Sequence, residues 1–432
     1  MILYDHFGIN EKGHLTVGGA DAVELAKEFG TPAYILDENV IRENCRTYLS
    51  AAKKYFGEDA LPLYASKALC FTGIYKIAAE EGLGVDCVSS GEIYTAARAG
   101  FPTEKIYFHG NNKTDDDVRF AMDNGVGTFV VDNAEELSAI SAEAQKRGIH
   151  QRILLRITPG IDPHTHRAIM TGNVDSKFGS AIVTGQAMDM VKLALNTKNV
   201  DLAGLHCHIG SQIFDVEPFS DAADIMVRFI ADIKNECEYT VRELNLGGGL
   251  GVRYVAEQPT LDVEGTIRTI AGRVKELCAQ HGIAMPRVIL EPGRSIVAAA
   301  GATLYTVGSV KKIPGFKNYV SVDGGMPDNP RYALYESAYT VELAEHMRRE
   351  KDFVATLAGR CCESGDLIGE GLTMARPERG DILAVLVTGA YNYSMASNYN
   401  RIPRPPLVLL SGGCDRVGVR RESYEDLLRL DE

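Results

Sequence analysis

The sequence lacks three features that would each point to a particular class of protein. No run of residues is long and apolar enough to predict a membrane-spanning helix. The N-terminus has no basic stretch followed by an apolar one, so we expect no secretory signal peptide. The nine cysteines are odd in number and include no CxxC pair, which favours a reduced, cytoplasmic protein over a disulfide-bonded or zinc-binding one.

Positive charge is also in deficit. The 45 lysines and arginines are outnumbered by 58 aspartates and glutamates, which gives a net charge of −13. Such a balance disfavours non-specific binding to nucleic acid or anionic membranes, although it leaves room for a local basic pocket. Hydrophobic residues make up 45% of the 432 residues, so the chain can bury a substantial core, and its length suggests about two domains.

A regular alternation of short apolar strands and helix-like segments fills the first two thirds of the sequence. The strand candidates begin near Leu61, Gly84, Ile106, Thr128, Arg152, Leu202, Glu243 and Arg287. About eight such βα units predict a (β/α)8 barrel over residues 37–292. Beyond Ser295 the strands continue without helices. We therefore predict a second, mainly β domain formed by residues 293–432, which the N-terminal residues 1–36 join.

Lys67 follows the first predicted barrel strand, Leu61–Ala65. If the strand is internal, burial would lower the pKa of this amine, because desolvation disfavours the ammonium form. A neutral amine can form a Schiff base with an aldehyde. The structural alternative is a lysine that snorkels to solvent at a strand end.

Other polar and glycine-rich segments end the predicted strands, and these ends converge on one mouth of a barrel. They are Lys67, Asp86, His208, Gly247–Gly251 and Glu291–Ser295. A glycine run lets backbone N–H groups approach a phosphate closely, and Arg294 and the Ser211 hydroxyl could add donors. A phosphate site combined with an amine nucleophile describes a site for pyridoxal phosphate, which acts as an electron sink.

Two further assignments depend on that cofactor. A carboxylate opposite its ring nitrogen would keep the nitrogen protonated, and Glu291 is the candidate; a structural ion pair is the alternative. An imidazole could stack on the ring face, and His208 is the candidate; a satisfied core histidine is the alternative. His164 and His166 could be a metal pair, but no third ligand accompanies them, so no metal site is expected.

Several longer motifs occur in one order along essentially the whole chain. They are Tyr64–Ala68, Gly84–Glu92, His164–His166 with Ser176–Gly179, His208–Gln212, Gly247–Gly249, Glu291–Ser295, Cys362–Asp366 and Tyr391–Asn400. In these motifs the sequence resembles the diaminopimelate decarboxylases, which are fold-type III (alanine-racemase-like) pyridoxal-phosphate enzymes with a barrel and a β domain. The resemblance implies decarboxylation of meso-2,6-diaminopimelate to L-lysine and CO₂, the last step of lysine biosynthesis.

The resemblance also implies a role for each matching residue. Residues on the cofactor side are Lys67 as its attachment point, Asp86, His208 against the ring, Glu291 at the pyridine nitrogen, and Ser211, Gly249, Gly293, Arg294 and Tyr391 at or near the phosphate. Residues on the substrate side are Arg294, Arg331, Tyr335 and Tyr391 at the distal carboxylate, Glu363 at the distal ammonium, and Cys362 as proton donor. In this family Cys362 and Glu363 come from the partner subunit, which implies a homodimer.

Without the resemblance some of these residues would be interpreted differently. Arg331 and Tyr335 are four apart and would share one face of a helix, most simply a solvated face. Near substrate-side residues the sequence departs from its relatives: Tyr332 replaces a common proline, and the segment Ala358–Cys361, before Cys362, lies where relatives usually have a Gly-Pro start. The alternatives are therefore a decarboxylase of another basic amino acid, of the ornithine or arginine type, and a non-catalytic regulator that binds pyridoxal phosphate.

Overall fold

The computed structural model describes residues 3–161 and 176–432. The motif around His164 and His166 lies outside these residues. Within them, no helix is both long enough and apolar enough to cross a membrane. The chain divides into two compact units. The barrel unit comprises Cys45–Gly251 and Leu261–Gly293, and the β unit comprises Met1–Asn44, Val252–Thr260 and Arg294–Glu432.

The secondary structure alternates in the barrel unit and is mostly strand in the β unit. The strands are β1 (Phe7–Ile9), β2 (Leu15–Val17), β3 (Ala20–Asp21), β4 (Ala33–Asp37), β5 (Leu61–Ala65), β6 (Gly84–Cys87), β7 (Ile106–Phe108), β8 (Thr128–Val131), β9 (Gln151–Thr158), β10 (Ser180–Ala181), β11 (Val200–His206), β12 (Glu243–Asn245), β13 (Arg287–Leu290), β14 (Gly301–Lys312), β15 (Asn318–Val322), β16 (Val341–Leu343), β17 (Phe353–Ala358), β18 (Leu367–Met374), β19 (Ile382–Leu386), β20 (Leu407–Ser411) and β21 (Cys414–Val419). The helices are α1 (Ala22–Phe29), α2 (Glu38–Phe56), α3 (Thr72–Glu80), α4 (Ser90–Arg98), α5 (Asp115–Asp123), α6 (Ala134–Arg147), α7 (Gln186–Asn196), α8 (Glu217–Cys237), α9 (Val263–His281), α10 (Arg294–Val297), α11 (Arg331–Tyr335) and α12 (Tyr424–Leu428).

Eight parallel strands close the barrel. β5 to β9 pair in sequence order, β11 to β13 continue the sheet from β9, and β13 returns to pair with β5. Buried side chains such as Leu63, Tyr107, Leu154 and Ile289 pack together in one cluster, as expected for a barrel whose interior is filled rather than open. The predicted barrel fold is confirmed, and each strand starts within two residues of its predicted position.

Side-chain caps begin several of the helices that follow barrel strands. The side chain of Ser89 accepts the backbone N–H of Glu92 at the start of α4, and Asn133 does the same for Glu136 at the start of α6. Such caps satisfy N–H groups that have no partner within the helix. Because the barrel strands run parallel, the loops that follow them lie at one end of the barrel.

The β unit is built on a second sheet in the order β18-β17-β15-β14-β4-β20-β21, with β19 pairing to both β14 and β16. The N-terminal strand β4 pairs antiparallel with β14 and parallel with β20, so the N-terminal segment joins this sheet as predicted. Helix α1 begins at Ala22, because Asp21 caps it by accepting the N–H of Val23.

Candidate active site

Lys67 lies in a single 3₁₀ turn, Ser66–Ala68, directly after β5. The strand is buried throughout, but the Lys67 side chain is exposed. The expected burial of this lysine is therefore wrong, since the turn directs the side chain out of the core at the strand end. The loop after β13 lies beside this turn: the Ala65 N–H donates to the Pro292 carbonyl at 3.0 Å, and a Cβ on Gly293 would be 2.9 Å from that of Ala65.

Two acidic residues lie close enough to Lys67 for its charge to act on them. Asp86, in β6, is buried, and this burial raises the pKa of its carboxyl, although the charges of His109 and Lys67 oppose the rise. Burial also raises the pKa of Glu92 to about 7, while its Oε2 accepts the backbone N–H of Val88 at 2.7 Å. The lysine thus faces a carboxyl-rich wall of the barrel mouth.

Glu291 occupies the centre of a buried polar cluster at the end of β13. Its Oε1 lies 2.9 Å from Nε2 of His109 and accepts a hydrogen bond from Nδ2 of Asn245 at 2.6 Å. Its Oε2 lies 3.1 Å from Nε2 of His206. Burial alone would raise the pKa of Glu291, but the two imidazoles outweigh it and hold this pKa well below its usual range. Glu291 is therefore a buried carboxylate that keeps its charge.

The same three side chains could in principle ligate a cation, because the nitrogens of His109 and His206 and the Glu291 oxygens lie within 4.8 Å of one another. Nε2 of His206 forms a hydrogen bond with the carboxylate, whereas Nε2 of His109 lies 2.9 Å from Oε1 in a close charge contact without hydrogen-bond geometry among the described residues. A further donor, Asn245, already occupies Oε1. Contacts within the protein thus account for this cluster.

Glycine loops and His208 complete the mouth of the barrel. Gly247 and Gly249 have positive φ values of 69° and 118°, and a Cβ on Gly249 would overlap the carbonyl oxygen of Gly210. Neither position could carry a side chain without strain. The Gly248 N–H donates to Nδ1 of His208 at 3.3 Å, and burial lowers the pKa of this imidazole well below its usual range. His208 is thus a neutral, oriented ring beside the partly buried glycine run.

These observations test whether the barrel mouth suits pyridoxal phosphate. The site offers an accessible amine at Lys67, a neutral imidazole at His208 and a charged carboxylate at Glu291. The N–H groups of Gly247 and Gly248 donate to Asn245 and His208, whereas Gly249 has no side chain, so an anion can approach its backbone closely. Ser211 is half-buried in the loop after β11. The donor set fits the cofactor at its aldehyde, ring face, pyridine nitrogen and phosphate.

A second cluster, of arginines and tyrosines, lies in the β unit. Nη1 of Arg331 donates to the Tyr339 hydroxyl at 2.7 Å, and Nη1 of Arg294 donates to the Tyr254 hydroxyl at 2.9 Å. The Arg294 guanidinium also lies 4.8 Å from the ring centre of Tyr391. Burial acts to raise the pKa of Tyr254, but the two arginines outweigh it and lower this pKa. Three of the predicted residues, Arg294, Arg331 and Tyr391, are brought together here.

Arg331 opens helix α11, which ends at Tyr335, so the two residues lie on one short helix, but the burial of Arg331 contradicts the simpler interpretation as a solvated face. The guanidinium of Arg331 is buried, and within residues 3–161 and 176–432 it forms no ion pair with a carboxylate. Its described hydrogen bond goes to Tyr339 rather than to Tyr335. A buried cation whose partners are phenols is suited to binding an anion.

Cys362 and Glu363 are exposed in the turn between β17 and β18, and no described contact joins them to the arginine cluster. Nearby, the buried Asp366 accepts the backbone N–H groups of Met326 and Cys361 at 2.5 and 2.7 Å. Burial and Asp366 together raise the pKa of the Cys361 thiol to about 12. Of the two adjacent cysteines, Cys362 is therefore the accessible one.

Sequence reasoning missed residues in both clusters. His206 could have been predicted from the sequence, because it lies two residues before His208 and alternate residues of a strand share a face. His109 follows β7 directly, so the strand-end criterion that selected Glu291 also applies to it. Tyr254 and Tyr339 carry no comparable signal, since they lie far apart in the sequence and meet Arg294 and Arg331 only in the fold.

Comparison with known proteins agrees with this geometry. Residues 41–298 match the pyridoxal binding domain of the pyridoxal-dependent decarboxylases. The chain is 43% identical to the diaminopimelate decarboxylase of Bacillus subtilis, with coverage of 100% of this chain and 98% of the relative, and 45% identical to that of Bacillus methanolicus, with 96% of each covered. The crystal structure of the M. jannaschii diaminopimelate decarboxylase in complex with L-lysine superimposes with a TM-score of 0.90 at 36% identity, covering 100% of this chain and 99% of that one. The chain belongs to the diaminopimelate decarboxylases, a family of pyridoxal-dependent decarboxylases.

Proposed function

We propose that the chain removes the carboxyl group at the D-configured centre of meso-2,6-diaminopimelate and releases L-lysine and CO₂. The observation that carries this choice of substrate is Arg331, a buried guanidinium whose described hydrogen bond goes to a phenol. Diaminopimelate has a second carboxylate far from the reacting carbon, and ornithine and arginine do not. The name shared by the relatives and the L-lysine held by the M. jannaschii enzyme support the same substrate and product.

The barrel unit would hold the cofactor. Pyridoxal phosphate, when bound, supplies an electron sink for the carbon that loses CO₂. Lys67 would tether it, His208 would pack against its ring and Glu291 would hold its nitrogen protonated, with Asp86 in the same mouth. Its phosphate is held by backbone N–H groups and polar side chains, which are Ser211, Gly249, Gly293, Arg294 and Tyr391.

The β unit would supply the residues that recognise the substrate and return a proton. Arg331, Arg294 and Tyr335 bind the distal carboxylate, because guanidinium forks and a phenol match its geometry, and Tyr391 lines the same place. Glu363 receives the distal ammonium. Cys362 delivers a proton to the carbon from which CO₂ departs.

Cys362 and Glu363 would serve the active site of a partner subunit, so that the working enzyme is a homodimer. Both side chains are exposed in the single chain, which supports this assignment. Mixing a Lys67→Ala protein with a Cys362→Ala protein tests it. If the subunits exchange, one of the two mixed sites keeps both residues and activity returns; a permanently inactive mixture in which exchange is demonstrated would contradict it. A cytoplasmic location stays a prediction from the nine free cysteines.

The decisive experiment measures CO₂ release from meso-diaminopimelate beside L-ornithine, L-arginine and L-lysine, with the cofactor supplied. We expect release from diaminopimelate alone, with L-lysine as the product. Equal or faster release from ornithine or arginine would instead favour a decarboxylase of basic amino acids. No release from any of the four would favour a regulator that binds the cofactor.

A further inference from the structure

We propose that His206 and His109 are positioning residues that hold Glu291 as a carboxylate at a fixed place in the barrel mouth, where the pyridine nitrogen of the cofactor meets it. The inference rests on the cofactor assignment of the proposed function and assigns two residues beyond it. Neither histidine needs to touch substrate or cofactor, because each acts through Glu291.

The two histidines reach Glu291 from opposite sides of the barrel. His206 ends β11, which lies two strands from β13 in the sheet, and His109 follows β7, which lies three strands away in the other direction. Each places Nε2 against a different oxygen of the carboxylate, at 3.1 and 2.9 Å. Asn245, on the strand between, donates to Oε1 at 2.6 Å, so Asn245 and His206 each hydrogen-bond one oxygen, while His109 contacts Oε1 without hydrogen-bond geometry. The carboxylate can therefore neither rotate nor withdraw without breaking a hydrogen bond.

The protonation of His206 can be inferred from its contacts. Burial lowers its pKa to about 4 in spite of Glu291, so the ring is neutral at pH 7 and carries a single N–H. Within the described residues Nδ1 of His206 has no hydrogen-bond partner, whereas Nε2 faces Glu291. The hydrogen thus lies on Nε2, and the ring donates to the carboxylate. The His109 ring packs on it edge to face, with centroids 4.8 Å apart, which fixes both orientations.

The charged groups around Glu291 explain why it needs hydrogen-bond donors to stay ionised. Asp86 lies near enough to repel it electrostatically, while Arg156 and Lys67 contribute positive charge to the same mouth. A buried carboxylate without sufficient donors takes up a proton, because burial disfavours its charge. A neutral Glu291 could not keep a proton on the pyridine nitrogen, and the electron sink would weaken.

The test uses holoenzyme prepared with ¹⁵N-labelled pyridoxal phosphate, in the absence of substrate. The ¹⁵N chemical shift of the ring nitrogen reports directly whether it is protonated. We expect the nitrogen to be protonated at pH 8 in the wild type and in His206→Gln, whose amide can still donate. In His206→Leu and in His109→Leu it should lose its proton at pH 8, and kcat should fall on the order of tenfold to a hundredfold, as for other residues that orient a primary ligand. His281→Leu, an exposed histidine at the end of α9, is the matched control and should resemble the wild type.

The outcomes separate two failures. A wild-type protein that binds no pyridoxal phosphate would overturn the cofactor assignment and the inference with it. A wild-type holoenzyme with a protonated nitrogen, together with leucine variants that keep both that proton and their kcat, would overturn the inference alone. If His206→Leu does not fold, His109→Leu and His206→Gln test the inference. His206→Gln should keep the proton on the ring nitrogen as the wild type does. Loss of that proton in His206→Gln would contradict the inference.

Discussion

One buried carboxyl group in each unit, Glu291 and Asp328, has its pKa shifted in opposite directions. Glu291 in the barrel unit is held by two imidazoles and an amide, and its pKa lies well below the usual range. Asp328 in the β unit accepts the Tyr305 hydroxyl at 2.5 Å and the Gly325 N–H at 3.1 Å. There burial prevails and raises the pKa of Asp328 to about 7.

The difference shows that burial does not by itself set a protonation state. Both carboxyls are almost completely shielded from water, but only Glu291 has enough strong donors to stabilise its charge. In the barrel unit Glu291 keeps its charge, although burial raises the pKa of Asp86 in the same unit. In the β unit, Asp328 accepts hydrogen bonds from Tyr305 and from the Gly325 loop. The charged groups of the candidate site in that unit are the guanidinium groups of Arg294 and Arg331. Substitutions in the two units should therefore fail in different ways.

The largest effect is expected at Lys67. Replacing it with alanine removes the amine that tethers the cofactor, so we expect turnover to fall by at least about a thousandfold and the cofactor absorbance to shift from that of bound to that of free aldehyde. Lys76→Ala, an exposed lysine on α3, is the control. Unchanged activity in Lys67→Ala would refute the whole functional assignment.

Cys362→Ser tests the proton donor. A serine hydroxyl is a much weaker acid than a thiol, so we expect the rate of L-lysine formation to fall by roughly a hundredfold to ten-thousandfold, the range for a lost acid catalyst. Cofactor binding should be unaffected. Cys414→Ser, at another exposed cysteine, should retain full activity. A Cys362→Ser protein that forms L-lysine as fast as Cys414→Ser would exclude the Cys362 thiol as the proton donor.

Arg331→Met should affect recognition rather than chemistry. Losing a charged hydrogen bond costs about 1.5–3 kcal/mol, so we expect KM for diaminopimelate to rise about tenfold to a hundredfold while kcat changes little and the cofactor spectrum stays the same. Arg349→Met removes an exposed arginine and is the control. A fall in kcat at unchanged KM would show that the two units do not divide the work in this way.

The smallest effect concerns stability and comes from Asp328. Its pKa is about 7 in the fold and near 4 in the unfolded chain, so between these values the folded state binds more protons. The free energy of unfolding should therefore fall as pH rises through this window, by at most about 1.4 kcal/mol per pH unit, and level off above it. Asp328→Asn should lose this component.

Urea unfolding at pH 5 and pH 8 measures the slope. Asp352→Asn, an exposed aspartate, controls for the loss of a charge. Equal slopes in the wild type and Asp328→Asn would mean that Asp328 is ionised in the fold, as Glu291 is.

The fold was largely predictable because its signals are local. The apolar runs that begin at Leu61, Gly84, Ile106 and Thr128 start strands at the predicted residues, and the loss of helices after the barrel marks the second sheet. The sequence predicted that the N-terminal segment joins the β domain, but not that β4 pairs antiparallel with β14. Its register depends on contacts between residues more than 260 positions apart, which no local pattern contains.

The candidate site was predictable only where a motif implies a role. Lys67, Glu291 and Arg294 lie in such motifs, but the exposure of Lys67 was not predictable, because it depends on the direction of one turn. The donors to Glu291 could not be assigned either. His109 is more than 180 residues from Glu291, and only closure of the barrel brings their side chains together.

Asp366 has a consequence for redesign of the enzyme. Its two oxygens hold Met326, on the segment that leads to Arg331, and Cys361, beside Cys362, and Gly325 and Gly359 pass too close to this carboxylate to accept any larger residue. The two segments therefore form one exchangeable module. A chimera that takes the arginine-bearing segment from a relative of different specificity should be built with the cysteine-bearing segment of that same relative.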